Sequence, residues 1–147
     1  MKLIHQRHPY DCQVACAAML FHMEYDEALS LILKHLDGNL EDAVPNETLI
    51  LAGRELGMKL MYISGTMFKL PSIVTVPSLN IPFRLHSVFF EGGKIYDPSR
   101  KKGYSNVEEI LSCYAGQLID SRYEWIQDYI NDKIEELKAH RICEKRN

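Results

Sequence analysis

Apolar residues along the chain fall into three helical stretches, then a block with strand-like alternation, then helical spacing again. The first stretch, Val14, Ala15, Ala17, Ala18, Met19 and Phe21, is apolar on nearly every side, which predicts a helix from Asp11 to about His22 buried inside a domain. Asp11 is its expected N-cap, a carboxylate able to accept first-turn N–H groups. Asp26 is expected to cap a second helix, EALSLILKHL, whose Leu29, Ile32, Leu33 and Leu36 form one stripe, with Gly38 ending it. Asn46 reads as the cap of a third helix, ETLILAGREL, closed by Gly57.

The period changes after Met58. KLMYIS reads as a strand, Gly65 as a turn, and the β-branched run LPSIVTV as a second strand. Pro77 and Pro82 bracket a loop. In LHSVFFEGGKIYDPS two strand-like runs flank Glu91-Gly92-Gly93, a hairpin signal, and His86 shares a face with Val88 and Phe90. Asp97-Pro98 ends the return strand. A capping box, Ser105 to Glu108, opens a helix ending near Gly116, and a second, Ser121 to Glu124, opens a last amphipathic helix. The basic run KAHRICEKRN is expected to be a solvated, fraying end. Helices, an antiparallel sheet and helices again predict an α+β domain over 1–120, with a C-terminal helical extension and basic tail over 121–147.

Composition narrows the possibilities without pointing to a chemistry. A chain of 147 residues with 46% hydrophobic and 25% charged residues fits one ordinary globular domain. The formal net charge of −3 argues against a nucleic-acid partner. No apolar run approaches the ~20 residues that span a membrane, and the N-terminal residues hold no apolar signal core, so a cytoplasmic location is expected. Cys12, Cys16, Cys113 and Cys143 are too unevenly spread for a disulfide framework. Cys12 and Cys16 with His5 and His8 raise the question of zinc, but no second Cys/His pair follows at finger-like spacing, so no metal or other cofactor is expected.

Chemistry enters at Cys12. A thiol on the first turn of a helix sits at the positive end of the dipole, where its pKa can fall from about 8.5 toward roughly 4–7. A thiol nucleophile needs a base, a group to orient that base, and a donor for the oxyanion formed on attack. His86 is the candidate base, and Asp97 follows on the return strand of the same hairpin, where it can hold the imidazole tautomer. Gln6, shortly before Cys12, is the candidate oxyanion donor. His5, His8, His22, His35 and His140 fit no comparable frame.

The segment QRHPYDCQVACAAML resembles the opening of the bacteriocin-processing cysteine peptidases, a papain-like family whose members begin with a Gln, then Asp-Cys-Gly and a small apolar helix. TLILAGRELGMKL, LPSIVTV, HSVFFEGGKIYDPS and SNVEEILSCYAG resemble later family segments in the same order, so the likeness covers about Leu3 to Leu118. The resemblance implies Cys12 as nucleophile, His86 as base, Asp97 as orienting acid and Gln6 as oxyanion donor. It also implies a helical lobe carrying the Cys and a sheet lobe carrying the His and Asp. Gln13 departs from the family's Gly, and a side chain there would alter the oxyanion hole or narrow the cleft.

The expected function is therefore a papain-like cysteine peptidase, cleaving a peptide or isopeptide bond of a peptide or protein substrate through an acyl-enzyme. Two alternatives share the fold. An amine acceptor would make it a thiol acyltransferase, or a glutamine side chain as substrate a deamidase. A catalytically inactive peptide-binding module would have Gln13 as its lesion.

Overall fold

The structure, a computed structural model, describes residues 2–63, 70–81, 84–110 and 141–144. Three helices come first: α1 (Cys12–Phe21), α2 (Tyr25–His35) and α3 (Asn46–Glu55), with a 3-10 turn at Leu40–Asp42 between α2 and α3. Among the described residues five strands follow: β1 (Leu60–Ile63), β2 (Ser72–Pro77), β3 (Leu85–Glu91), β4 (Lys94–Tyr96) and β5 (Arg141–Glu144). They form one antiparallel sheet in the order β1-β5-β2-β3-β4. Helices followed by a small antiparallel sheet agree with the expected α+β class, while the closing helices expected after the sheet lie largely outside the described residues. Among the described residues no helix is long and apolar enough to cross a membrane.

Helix α1 is the centre of the molecule. Every one of its residues except Gln13 is buried, as its all-round apolar sequence requires. It packs against α2, β2 and β3. Its C-terminus closes with His22 in the left-handed conformation (φ 55°), where His22 and Met23 N–H groups reach back to the Met19 and Ala18 carbonyls. Alternation along β2 and β3 then gives the sheet a core on each face. Ile73 and Phe89 join the α1 cluster, whereas Val74, Val76, Val88 and Phe90 pack with Tyr104 and Ile110. Helix α3 approaches β1 closely at Gly53, where a Cβ would stand 2.7 Å from Leu60 Cδ1. The β3–β4 turn has Gly92 and Gly93 at φ 60° and 80°, the two positive values a two-residue hairpin turn demands.

Five local expectations are corrected, the first being Asn46, which is the first residue of α3 with Pro45 in the cap position. Asp11 occupies the cap position of α1, and its backbone carbonyl accepts from Val14 and Ala15, but its side chain makes no capping bond. Asp26 lies inside the first turn of α2, with Glu24 in the cap position. The capping box before the 107–110 turn is shifted by one residue: Asn106 Oδ1 accepts the Glu109 N–H (2.9 Å), and Glu109 Oε2 accepts the Ser105 N–H (2.7 Å). Residues Arg141–Glu144, expected to fray, are a strand lying between β1 and β2. The turn at Gly65, the helix end near Gly116 and the amphipathic helix from Ser121 lie outside the described residues, as does Cys113.

Candidate active site

Cys12 is the first residue of α1, so its thiol stands where the backbone N–H groups have no intrahelical partner. It lines a cleft of about 660 Å³ together with Gln6, His8, Tyr10, Gln13 and His86. Only 9% of Cys12 is exposed, against none of Cys16 one turn further along. Burial pushes the Cys16 thiol well above its ordinary pKa, which disfavours its thiolate.

His86 is the second residue of β3, at the end of the sheet that borders the cleft. Its Nε2 lies 2.7 Å from Asp97 Oδ1, and its ring lines the same cleft as the Cys12 thiol, close enough for the sulfur to favour the imidazolium. With Nε2 on Asp97, Nδ1 is the nitrogen left for sulfur. Burial opposes an imidazolium here, but Asp97 and Cys12 outweigh it and raise the His86 pKa to about 9.

Asp97 directly follows β4 and is 8% exposed. Burial would raise its pKa; the His86 ring and the N–H groups of Ser99 and Tyr104 reverse this and lower it, so it stands as a carboxylate. Oδ1 also accepts Ser99 N–H and Oδ2 accepts Tyr104 N–H, each at 2.8 Å. The Tyr104 hydroxyl donates to the Pro77 carbonyl (2.7 Å), tying this loop to the end of β2. Gly103 allows the close wrap: a Cβ there would meet Asp97 Cγ at 3.0 Å and Oδ2 at 3.1 Å.

Gln6 enters from the other side. Its N–H donates to the Pro98 carbonyl (2.9 Å), and its own carbonyl accepts from Arg100 Nε (2.8 Å), so the segment after Asp97 also holds the Gln6 backbone. Its side-chain Nε2 donates to the His8 carbonyl at 2.8 Å and retains a second N–H. The Gln6 Oε1 is buried and has no partner among the described residues.

Gln13 does not cap or block the thiol. Its amide pairs with the backbone of Val44, Nε2 to the carbonyl and Oε1 from the N–H, both at 2.8 Å. It thereby fixes the 39–45 loop as a cleft wall bearing Glu41 and Asp42, with Ala43 at φ 78°.

Cys12, His86 and Asp97 are thus contiguous, and Gln6 lines the same cleft. A buried carboxylate, an imidazole of raised pKa and a thiol at a helix start are the components of nucleophilic acyl transfer. A family model matches residues 1–121, that of the peptidase C39 family. The chain belongs to the peptidase C39 family. Comparison with curated proteins gives no match. Membership supports a cysteine-peptidase-like function with peptide or protein substrates, and it implies a papain-like fold, with which the mixed helices and small antiparallel sheet accord. The C39 match stops short of β5, so the strand between β1 and β2 comes from chain beyond it.

Sequence reasoning missed the supports. Gly103 and Tyr104, which grip Asp97, carried no signal beyond an ordinary loop glycine and aromatic. Asp11 was read as a cap, although its carboxylate faces backward into the Gln6–Tyr10 loop.

Proposed function

We propose that this protein is a papain-like thiol hydrolase cleaving a peptide or isopeptide bond, with Cys12 as nucleophile, His86 as general base and acid, Asp97 as the orienting acid and Gln6 as an oxyanion donor. The helices form the lobe that carries Cys12, and the sheet forms the lobe that carries His86 and Asp97. The single observation behind this reading is the imidazole of His86, which is 2.7 Å from Asp97 on one side and on the other lines the cleft that holds the Cys12 thiol.

The proposed steps are those that this arrangement of side chains supports. His86 Nε2–H donates to the Asp97 carboxylate, which leaves Nδ1 to take the Cys12 proton. The thiolate adds to the carbonyl carbon, and the carbonyl π electrons move to oxygen. The free Gln6 N–H and the Cys12 backbone N–H stabilise that oxyanion. Its collapse breaks the C–N bond, and imidazolium protonates the departing amine. Water then attacks the thioester, giving His86 a proton that returns to the thiol as the acid leaves. A module without turnover finds no support at Gln13, whose amide is held by Val44 while Cys12 still lines the cleft.

The test is iodoacetamide labelling of each cysteine across pH, in the wild type and His86→Ala. Fast labelling of Cys12 that persists below about pH 6 is expected, with the variant slower by on the order of 10²-fold. Labelling of Cys12 at the rate of a free thiol of pKa near 8.5 overturns the reading.

A further inference from the structure

We propose that Asp11 is a positioning residue for the oxyanion side of the site: its buried carboxylate holds the His8 backbone, and the His8 carbonyl holds the Gln6 amide. The inference rests on the thiol-hydrolase reading above and assigns Asp11 a role within it.

Asp11 is 0% exposed, although it neighbours the nucleophile and lies at the base of the cleft loop. Oδ1 accepts His8 N–H and Oδ2 accepts Arg7 N–H, each at 2.9 Å, and Oδ2 also accepts the Tyr25 hydroxyl. Tyr25 is itself buried at the start of α2, with the Arg7 guanidinium 4.0 Å over its ring and reaching Asp26 Oδ1 at 2.7 Å. The carboxylate is therefore fixed from behind by α2 and in turn fixes the loop in front of it.

The relay to Gln6 passes through one residue, across the two peptide units that meet at the His8 Cα. His8 gives its N–H to Asp11 and its carbonyl to Gln6 Nε2, at 2.9 and 2.8 Å. No other described residue bonds the Gln6 side chain, whose Oε1 is buried and unpartnered. The direction of the remaining N–H, the one available to an oxyanion, is set through His8. A carboxylate suits this place because it accepts on both oxygens. Asn would turn an NH₂ toward the N–H of Arg7 or His8, donor against donor.

The experiment compares two reactions of Cys12. Acylation by p-nitrophenyl acetate passes through a tetrahedral oxyanion, and alkylation by iodoacetamide does not. Gln6→Ala is expected to slow acylation by about 10²-fold and Asp11→Asn by about tenfold or more, with the alkylation rate and its pH profile unchanged in both. Because Asp11 acts through Gln6, the double variant should acylate no more slowly than Gln6→Ala alone. Parallel loss of acylation and alkylation in Asp11→Asn, or multiplicative losses in the double variant, overturns the proposal. If circular dichroism shows Asp11→Asn unfolded, Tyr25→Phe decides. A severalfold loss confined to acylation supports the role, and wild-type acylation refutes it. A wild-type Cys12 that neither acylates nor alkylates faster than a free thiol removes the hydrolase reading itself, and this assignment with it.

Discussion

Two buried aspartates flank the candidate nucleophile, and they are built alike. Asp97 accepts the backbone N–H groups of Ser99 and Tyr104 and one side chain, His86. Asp11 accepts the backbone N–H groups of Arg7 and His8 and one side chain, Tyr25. Each carboxylate organises a loop by satisfying two main-chain donors, which is how a buried charge is tolerated. The third bond separates them. Asp97 faces an imidazole whose charge changes during the proposed reaction. Asp11 faces a phenol that burial and the carboxylate itself hold protonated, above the usual tyrosine range. Asp97 thus bonds a group that changes charge in the proposed reaction, whereas Asp11 bonds only groups that keep theirs. Changes at Asp97 should accordingly move pH profiles, and changes at Asp11 should not.

The largest effect is expected from Asp97→Asn. Acylation of Cys12 near neutral pH should fall by on the order of 10² or more, and the His86 titration followed by NMR should drop from about 9. Stability carries the same signature. His86 is raised from 6.5 to about 9, so its pairing stabilises fully below pH 6.5 and is lost as pH rises through 9. Asp97 is lowered from 3.8, so its contribution is present above pH 3.8 and lost as pH falls through its folded value. The difference in unfolding free energy between wild type and variant, about 3 kcal/mol at its largest, should thus lie on a plateau between those limits and shrink toward pH 9. A difference independent of pH would break the contrast with Asp11.

Gly103→Ala should come next. The new methyl meets a carboxylate held by three hydrogen bonds, which cannot retreat without weakening one of them. A loss of about 1–3 kcal/mol in thermal or urea unfolding is expected. The His86 titration should shift downward with it. An unshifted titration would show that the loop yields without disturbing Asp97. The smallest effect is expected from Gln13→Ala, which removes two bonds to Val44 and should cost about 1–2 kcal/mol. Iodoacetamide labelling of Cys12 should be unchanged in that variant, because Gln13 touches neither arm; a slowed rate would tie the 39–45 wall to the thiol.

The same contrast explains what could be read from the sequence. The helix order, the hairpin at Gly92-Gly93 and the alternation in β3 are local patterns, and the fold follows them. The pairing of His86 with Asp97 was legible because a hairpin sets residues of its two strands side by side, and Cys12 was legible as a residue at a helix start. Asp11 was legible as the residue that precedes the helix, but not in the direction its carboxylate takes. An Asp before a helix satisfies the capping pattern whether its carboxylate turns forward to the helix or backward to the loop. What decides is Tyr25, a tertiary partner that no local rule supplies. Tyr104 and Gly103 were silent for the same reason, since their role is defined by the carboxylate they enclose. The strand at Arg141–Glu144 was missed because KAHRICEKRN carries the charges of a solvated end, and only pairing with β1 and β2 makes its backbone a strand.

That strand has a consequence for how the molecule is made. Among the described residues β1 pairs with β5 alone, and β2 meets β1 only across it. All four residues of the proposed chemistry are translated before β5, yet the sheet cannot be completed until β5 has left the ribosome. The emergence of β5 is therefore followed by a closing step of long sequence separation, the slow kind. A product truncated after residue 121 would carry the whole family segment and the thiol with it, but its β1 would have lost the strand that joins it to the sheet.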